Sequence, residues 1–498
     1  MTKLLGLDVG TTGVRCVAVD EGGSLIADAS EEYPLYSPHP GWSEQRPEDW
    51  WKASQTVIAS VAASAGRDIS GIGLAGQMHG AVFLDGADAA IRPALLWNDQ
   101  RTQAQCDAIT ERVGAQRLTR ITGNPALTGF QAPKILWLRD EEPKLYERVA
   151  AVLLPKDYIR LELTGEKSTD ASDAAGTLLL DLEARTWSSE ILQSLAIPEQ
   201  WLPSVHESPQ RTGEVRKEIA SELGLPQGLP VAAGAGDNAA AAVGNGIVRD
   251  GLASCSIGTS GVLFAHSDTI ASDPSGRVHA FCHAVPGRYH LMGVTLAAGG
   301  SLRWWRDLVG KGDYDELTAL AEQVPAGAEG LLFLPYLTGE RTPHLDPKAR
   351  GAFVGLTSRH DLGHLTRAVM EGVAFSLRDS LEIIVALGAA PNQIRVTGGG
   401  GRSRFWRQLL ADVLGRPIAR TTADEGPAYG AALLAGVAAG VFASVEEACA
   451  GITLRPDVCE PDRDRQRLYE QHYATYRELY PATRQAMHDL SDLARPRD

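Results

Sequence analysis

Two short turns rich in glycine and threonine are the first candidates for chemistry in this sequence: Gly10–Gly13 and Gly258–Gly261. Each turn separates two apolar runs, which predicts a β-hairpin. Glycines expose backbone N–H groups and hydroxyls donate to phosphate oxygens, so both turns suit a phosphate group. One such turn is more simply an ordinary hairpin, but these two lie 248 positions apart in a chain of 498 residues. The duplication favours two opposed loops that clamp one triphosphate.

The two turns differ in the carboxylate that accompanies them. Asp8 precedes the first turn, whereas Ser256 stands at the corresponding position before the second. Only one side therefore offers a carboxylate to Mg²⁺ or to its waters. Asp8 is the candidate metal ligand.

Asp237 is the candidate catalytic base. It follows the apolar run 231–233 and precedes an alanine-rich stretch, which places it at the N-terminus of a predicted helix. The helix dipole there favours an ionised carboxylate, which could accept the proton of an alcohol that attacks a phosphorus atom. The alternative role is a helix cap, a common use of aspartate.

A run of four glycines, residues 398–401, is the candidate nucleotide contact. It follows the apolar run 394–396 and precedes a helical pattern over 405–414. A backbone without side chains lets a flat ring approach closely. Four glycines also cost folding entropy, which favours nucleotide contact over a flexible turn without function.

Other nucleotide-binding motifs fit this sequence less well than these turns do. No Gly-x-x-x-x-Gly-Lys-Ser/Thr string occurs, which excludes a P-loop kinase. Two strings match the dinucleotide fingerprint, Gly71–Gly76 and Gly234–Ala239. The first lies within a predicted strand, and the second would set Asp237 against a pyrophosphate of the same charge. An NAD-dependent oxidoreductase that uses the second string is the alternative from another class, and a non-catalytic actin-like assembly protein is a further one.

The elements that must position these residues follow an α/β pattern. Strand-like runs such as 69–75 alternate with amphipathic stretches such as 48–63. Length and duplication together predict two domains, residues 1–246 and 247–498, with a cleft between them. The tail 462–493 carries tyrosines and leucines at helical spacing around Pro481, which predicts a packing helix pair.

Composition excludes several classes of partner. The net charge of -15 would repel nucleic acid and anionic membranes. The six cysteines form no CxxC pair, so neither a zinc knuckle nor a disulfide framework is expected. No stretch has the length of a membrane span or the pattern of a secretory leader, so a cytoplasmic location is expected.

The region after residue 350 carries the most specific resemblance to a known family. Gly351–Leu356, followed seven residues later by His364–Glu371, resembles the C-terminal signature of the FGGY carbohydrate kinase family. Residues 129–141 are similar to its other signature, although Gln131 stands where Pro, Ser or Thr is usual. The resemblance covers essentially the whole chain. It implies an α/β fold of two actin-like (ribonuclease H-like) domains, with a deep interdomain cleft that holds ATP.

The same resemblance implies an activity. Gly76–Gly80 is similar to the sugar-binding segment of family members that phosphorylate D-xylulose. ATP- and Mg²⁺-dependent phosphorylation of the terminal C5 hydroxyl of D-xylulose is therefore expected, with L-ribulose, xylitol or glycerol as alternative substrates. A homodimer is a further expectation from the family.

The family motifs also imply roles for individual residues. The N-terminal domain would carry the base, Asp237, and the C-terminal domain would bind the nucleotide. His79 would donate a hydrogen bond to a sugar hydroxyl. Arg404 occupies a position where glycerol kinase-like members have an asparagine near adenine. The sugar-binding residues would be Gln77, Met78, His79, Asp237 and Asn238. The nucleotide-binding residues would be Thr11, Thr12, Gly13, Gly258, Thr259, Gly299, Trp305, Gly399 and Gly400.

Overall fold

The computed structural model of the protein describes residues 2–66, 68–310, 312–422 and 426–494. Its strands are β1 (Lys3–Val9), β2 (Gly13–Asp20), β3 (Leu25–Glu32), β4 (Glu44–Gln45), β5 (Ile69–Gly76), β6 (Val82–Leu84), β7 (Ala94–Leu95), β8 (Ala151–Leu153), β9 (Ser168–Asp170), β10 (Leu180–Asp181), β11 (Thr186–Trp187), β12 (Ser204–His206), β13 (Arg211–Glu214), β14 (Pro230–Ala232), β15 (Ala235–Gly236), β16 (Leu252–Ile257), β17 (Gly261–Ser267), β18 (His279–Cys282), β19 (Tyr289–Thr295), β20 (Leu332–Leu334), β21 (Ala352–Val354), β22 (Gln393–Thr397) and β23 (Ile418–Ala419). Its α-helices are α1 (Pro47–Ala65), α2 (Gln103–Val113), α3 (Ala115–Thr122), α4 (Gln131–Glu141), α5 (Pro143–Tyr146), α6 (Pro155–Thr164), α7 (Ala171–Ala174), α8 (Ser189–Leu195), α9 (Lys217–Leu223), α10 (Asp237–Gly244), α11 (Gly299–Val309), α12 (Tyr314–Gln323), α13 (Leu362–Ala386), α14 (Arg404–Leu414), α15 (Gly426–Ala438), α16 (Val445–Ala448) and α17 (Arg463–Leu493). Short 3-10 helices cover Ala175–Thr177, Glu199–Trp201, Ala328–Gly330 and Gly399–Arg402.

Two large sheets share one plan. The first has the order β13-β14-β5-β1-β2-β3, with β15 also paired to β5, and the second has the order β18-β19-β17-β16-β22-β23. In each, a central antiparallel hairpin, β1–β2 or β16–β17, has a parallel strand on its other side, β5 or β22. The prediction of two similar hairpins, one in each half of the sequence, is therefore confirmed.

Local sequence explains the elements around the first hairpin. In α1, Trp50, Val57 and Val61 are buried at helical spacing, and Pro47 occupies the first turn, where its missing N–H costs nothing. Strand β5 is buried along most of its length, as expected for a central parallel strand. The predicted helix over 48–63 and strand over 69–75 are both confirmed. The domain boundary between residues 246 and 247 stays a prediction, and the outer limits at residues 1 and 498 lie outside the described residues.

Helix α15, from the second half of the sequence, packs directly on the first sheet. A Cβ atom added to Gly6 would lie 1.9 Å from the carbonyl oxygen of Ala428, and one added to Gly73 would lie 2.0 Å from that of Ala431. Only glycine permits such a close approach of two backbones. The glycines of the string Gly71–Gly76 thus serve strand–helix packing, as expected from their position within a strand.

The predicted break at Pro481 is wrong. Helix α17 runs through it as a single element, and Tyr476, Tyr480 and Met487 are buried on both sides of the proline. Proline removes one backbone hydrogen bond, but tertiary packing of the flanking side chains holds the helix together. The tail therefore packs as one helix, with Tyr469 and Tyr473 hydrogen-bonded to Glu371 and Asp379 of α13.

All six cysteines are buried, and none forms a disulfide. Burial raises the pKa of the Cys106, Cys255, Cys282 and Cys449 thiols to about 12. The expectation of buried, reduced thiols agrees with this arrangement. Among the helices of the described ranges, none has the length and apolar character needed to cross a bilayer.

Candidate active site

Asp237 is the first residue of α10 and directly follows β15. Strand β15 pairs in parallel with the end of β5, Ala235 with Ala75 and Gly236 with Gly76, which fixes where the helix begins. The Asp237 Oδ1 atom accepts hydrogen bonds from the backbone N–H of Asn238 at 2.6 Å and from its Nδ2 at 2.9 Å. Within the described residues no hydrogen bond goes to Oδ2, so this oxygen is free to accept a proton.

The charge state of Asp237 follows from two opposed effects. Burial raises the pKa of its carboxyl group to about 6, and the two hydrogen bonds from Asn238 act in the opposite direction. The group is therefore ionised at neutral pH, with a pKa near the operating pH, as suits a general base.

Asp8 lies near Asp237 and carries an orphaned oxygen. Burial, and then the negative charge of Asp237, raises the pKa of Asp8 to about 7, while Arg15 acts in the opposite direction. Its Oδ1 is buried with no hydrogen-bond partner in the described part of the chain. A buried carboxylate oxygen without a donor fits a divalent cation. Among the described residues no group of three or more His, Cys, Asp or Glu side chains could hold a metal alone, so phosphate oxygens and waters would complete the coordination of Mg²⁺.

The predicted sugar-binding segment, Gly76–Gly80, begins at the end of β5. Within it, His79 adopts a positive φ of 68°. The Nδ1 of His79 lies 2.6 Å from the carbonyl oxygen of Gly176, which only accepts, so Nδ1 carries the proton. Burial lowers the pKa of His79 to about 3, which keeps the ring neutral and leaves Nε2 as an acceptor. His79 would therefore accept a hydrogen bond from a hydroxyl, which corrects the expectation that it donates one.

Met78, within the predicted sugar-binding segment, packs against the end of β15. It is 4% exposed, and a Cβ on Gly236 would lie 2.9 Å from its Cγ. The side chain thus supports the backbone next to Asp237. Contact between Met78 and a sugar stays a prediction.

Two side chains of helix α4 donate hydrogen bonds to the backbone of the predicted sugar-binding segment. Gln131 donates from Nε2 to the carbonyl oxygens of Gly80, at 2.8 Å, and Leu153, at 3.1 Å. Lys134 donates from Nζ to the carbonyl oxygens of His79, at 2.8 Å, and Gly129, at 2.7 Å. Sequence reasoning noted Gln131 only as a departure from the family pattern. Its position shows a use for the longer amide side chain, which reaches two carbonyl groups.

A hydrogen-bond network ties the first hairpin turn to the sugar-binding segment. Thr11 donates from Oγ1 to Gln77 Oε1 at 3.1 Å and accepts from Trp97 Nε1 at 2.9 Å. Gln77 donates from Nε2 to Gln45 Oε1 at 2.9 Å, and the same Oε1 accepts from Trp50 Nε1 at 3.0 Å. Gln45 in turn donates from Nε2 to the carbonyl oxygen of Thr11. Gln45 and Trp50 were missed because they are distant in sequence from any motif. Neighbouring Thr12 is exposed, and Gly13 begins β2.

The second hairpin turn borders a cavity of about 610 Å³. Helix α11 begins against this turn, and a Cβ on Gly299 would lie 2.5 Å from the carbonyl oxygen of Gly258. The bare backbone is therefore needed for contact between turn and helix. The predicted residues that line this cavity are Gly258, Thr259, Gly299, Gly399 and Gly400, and those missed by sequence reasoning include Arg303, Tyr314, Asp315, Arg402 and Ser403.

Trp305, one of the predicted nucleotide-binding residues, does not line this cavity. The indole of Trp305 is 6% exposed and donates to Thr366 Oγ1 at 2.9 Å, so it packs behind the cavity wall. Arg404 is exposed at the start of α14 and lines a neighbouring cavity, which also contacts Arg402 and Ser403. The apolar residues Leu302 and Trp305 are three positions apart in α11 and lie on its buried face, whereas Arg303 borders the cavity.

A second cavity, of about 420 Å³, connects the two halves. Asp237 and Asn238 line it from one side, and Ser254, Ser256 and residues 397–399 line it from the other. Gly399 and Arg402 border both this cavity and the one beside the second hairpin. Asp237 and the start of the glycine run thus line the same space, which suits transfer of a group between two bound molecules.

Two glycine amides in the loop of the dinucleotide string Gly234–Ala239 already have partners within the protein. The N–H of Gly234 donates to the carbonyl of Ser208 at 3.0 Å, and that of Gly236 donates to Ser172 Oγ at 3.2 Å. A dinucleotide loop instead points its N–H groups at the ligand. This geometry disfavours the oxidoreductase alternative.

Comparison with known proteins decides the family. Residues 3–244 match the N-terminal domain of the FGGY family of carbohydrate kinases, and residues 253–439 match its C-terminal domain. This protein belongs to the FGGY family of carbohydrate kinases. The expected fold of two actin-like domains with an interdomain cleft is thereby confirmed, and the assembly-protein and oxidoreductase alternatives are not supported.

The relatives include xylulose kinases. The chain is 44% identical to a xylulose kinase of Escherichia coli (strain K12), over 96% of this chain and 98% of the relative. It is 43% identical to a xylulose kinase of Lactococcus lactis subsp. lactis, over 98% and 99%. A solved structure of a "xyloylose kinase" from Brucella ovis superposes with a TM-score of 0.92, at 42% identity, over 97% of this chain and 100% of that one.

Proposed function

We propose that this protein transfers the γ-phosphoryl group of ATP to the C5 hydroxyl of D-xylulose, with Asp237 as the general base. One observation carries the proposal. Asp237, whose Oδ2 accepts no hydrogen bond from the described residues, lines a cavity that Gly398 and Gly399 border from the other half of the chain. The names of the relatives support D-xylulose as the substrate, since they match over nearly the full length.

The sugar would lie between Asp237 and the segment after β5. His79 Nε2 would accept a hydrogen bond from one sugar hydroxyl, and Asn238 would assist beside the base. Thr11 and Gln77 are already hydrogen-bonded to each other, so the sugar-binding segment and the first hairpin turn keep a fixed spacing. Such fixed spacing aligns an attacking hydroxyl with the phosphate, and orientation can contribute about 7 to 11 kcal/mol to catalysis.

ATP would occupy the cavity beside the second hairpin turn. Thr12, Gly13, Gly258 and Thr259 would face its phosphates, and Gly399 and Gly400 would border the nucleotide. Asp237 would take the proton of the C5 hydroxyl as that oxygen bonds to phosphorus, and the bond from phosphorus to the β,γ-bridging oxygen breaks, which leaves ADP. Asp8 would hold Mg²⁺, which neutralises charge on the phosphate oxygens when bound.

A coupled assay of ADP release tests the substrate. We expect D-xylulose to give a kcat/KM at least tenfold above those for L-ribulose, xylitol and glycerol, and turnover to require Mg²⁺. NMR of the product should place the phosphate on C5. A higher kcat/KM for another substrate would replace D-xylulose in the proposal, and no ADP release with any of them would refute kinase activity.

The Asp237→Asn variant tests the base. It keeps the size and the hydrogen bonds from Asn238 but cannot accept the proton, so kcat should fall by about 10² to 10⁴-fold. Calorimetry should show that binding of the sugar and of ATP persists. A kcat close to that of the wild type would remove Asp237 from the mechanism.

Two further expectations belong to this proposal. The enzyme would act in the cytoplasm, where ATP and free ketoses occur together. A homodimer is the expected assembly, and light scattering across a range of protein concentrations would detect it. A monomer at all concentrations would refute the dimer without affecting the proposed chemistry.

A further inference from the structure

Five charged side chains form a fully buried cluster beside β15, the strand that directly precedes Asp237. They are those of Lys156, Asp157, Arg160, Asp170 and Asp173. Lys156 Nζ lies 2.6 Å from Asp157 Oδ1, 2.9 Å from Asp170 Oδ1 and 3.4 Å from Asp173 Oδ2. Arg160 lies on the same helix, and all five side chains are 0% exposed. No step of the proposed reaction uses them.

Stability alone does not account for this ion cluster. Burial of charges is costly, and well-packed apolar side chains in their place are often at least as stable. The contacts of the cluster point to another role. Arg160 donates to the carbonyl of Ala233, and a Cβ on Gly76 would lie 3.0 Å from the Cβ of Lys156. The cluster therefore touches the end of β5 and the link between β14 and β15, which leads to Asp237.

A chain of hydrogen bonds continues from the cluster to the residue before Asp237. The N–H of Gly236 donates to Ser172 Oγ at 3.2 Å, and Ser172 Oγ donates to Asp170 Oδ2 at 2.5 Å. The other oxygen of Asp170 is the one that Lys156 contacts. We propose that Ser172 is a positioning residue for Asp237, because its hydroxyl ties the Gly236 amide to the buried ion cluster.

The flexibility of glycine explains why such a tie matters. Gly236 has a φ of -58° and a ψ of 147° where strand β15 becomes helix α10, and without a side chain it has more freedom there than any other residue. A rotation at this residue would swing the Asp237 carboxylate away from the hydroxyl that it must deprotonate. A displacement of about 1 Å can cost on the order of 10²-fold in rate.

The chain offers a matched control. Ser208 Oγ donates to the same oxygen of Asp170 at 2.8 Å, and Ser208 is also 0% exposed. The Ser208 side chain has no hydrogen bond to Gly236, whose amide donates to Ser172. Ser172→Ala and Ser208→Ala each remove one buried hydroxyl from Asp170, but only the first frees the Gly236 amide.

The inference rests on the proposed role of Asp237, and steady-state kinetics of both variants test it. We expect Ser172→Ala to lower kcat about tenfold with both KM values within about twofold of the wild type, and Ser208→Ala to leave kcat within about twofold. Thermal unfolding should show a larger loss of melting temperature in Ser172→Ala than in Ser208→Ala, since both variants lose one hydrogen bond to Asp170 but only Ser172→Ala also leaves the Gly236 amide without its acceptor.

An unchanged kcat in Ser172→Ala, or an equal fall of kcat in both variants, would overturn the positioning role. The Asp237→Asn variant, measured alongside, separates this failure from a failure of the proposed function. A near-normal kcat in Asp237→Asn refutes the base itself. A large loss in Asp237→Asn with no loss in Ser172→Ala refutes only the tie through Ser172.

Discussion

The turns Gly10–Gly13 and Gly258–Gly261 have the same backbone plan but different surroundings. Each joins the central antiparallel pair of its sheet, and each lies beside a parallel strand. Thr11 in the first turn is hydrogen-bonded to Gln77 and Trp97 on the sugar side. In the second turn, the backbone carbonyl oxygen of Thr259 accepts hydrogen bonds from the N–H groups of Ala298 and Gly300, on the proposed nucleotide side.

Under the proposed function, the turn itself does not decide which substrate it contacts. Both turns present glycines and hydroxyls, so both suit phosphate oxygens. The neighbouring elements give the two turns different proposed roles, because β5 leads to the predicted sugar-binding segment whereas α11 begins against the second turn. The carboxylate of Asp8, which has Ser256 as its counterpart, offers the proposed metal ligand on one side only.

The largest difference between the hairpins should appear when that carboxylate is removed. Asp8→Asn keeps the size of the side chain but removes the charge, and loss of one group that stabilises the transition state typically costs about 10² to 10³-fold in kcat. Ser256→Ala, the matched change in the second hairpin, should alter kcat by less than about threefold. Equal effects in the two variants, measured at saturating Mg²⁺, would contradict the division of roles.

The pH dependence of kcat/KM should follow the ionisation of Asp237, which lies in the first half of the chain. The pKa of Asp237 is about 6, and the base works only when deprotonated, so activity is lost as the pH falls through 6. For a single such group, kcat/KM should fall about tenfold between pH 8 and pH 5. The residual activity of Asp237→Asn should lack this acid limb. An identical profile in the variant would assign the limb to another group.

Removal of the Thr11 hydroxyl and removal of the Thr259 hydroxyl should raise the KM values of different substrates. Thr11→Val leaves the buried Gln77 Oε1 without its donor, which costs about 1 to 3 kcal/mol, so the KM for the sugar should rise roughly tenfold. Thr259→Val affects an exposed side chain that accepts from Arg303, so the KM for ATP should rise only about threefold. A sugar effect from Thr259→Val, or an ATP effect alone from Thr11→Val, would reverse the assignment.

The mildest change concerns Gly258 of the second hairpin turn, and Gly299 at the start of α11 serves as its comparison. A Cβ on Gly258 would have its nearest contact at 3.7 Å, so Gly258→Ala should change the free energy of unfolding by less than about 0.5 kcal/mol. Gly299→Ala would bring a Cβ within 2.5 Å of a carbonyl oxygen and should cost about 1 to 3 kcal/mol. Chemical denaturation compares them, and equal stabilities would show that the contact between turn and helix relaxes freely.

Sequence patterns predicted the parts of the site that are local in the chain. The duplicated hairpins, the strand before Asp237 and the helix after it are each specified by a few adjacent residues, and the structure confirms them as elements. The glycine run was likewise visible, because four successive glycines cost folding entropy and therefore indicate a need for a bare backbone. Local patterns of this kind depend on backbone preferences, which a single sequence reveals.

The remaining parts depend on contacts between distant residues. The direction of the His79 hydrogen bond is set by the carbonyl of Gly176, which lies 97 positions away. The contacts of Gln45, Ser172 and Lys156 are not marked by any sequence motif. Continuity of α17 through Pro481 depends on packing against the rest of the chain, which overrides the local preference of proline.

The burial of every native thiol has a practical consequence for the study of cleft closure. Thiol reagents attack the thiolate, and buried thiols with a raised pKa form very little of it near neutral pH. A cysteine introduced on the surface of each half would therefore be the preferred site for a fluorescent dye in the folded protein. Energy transfer between two such dyes could follow the distance between the halves while all native cysteines stay in place.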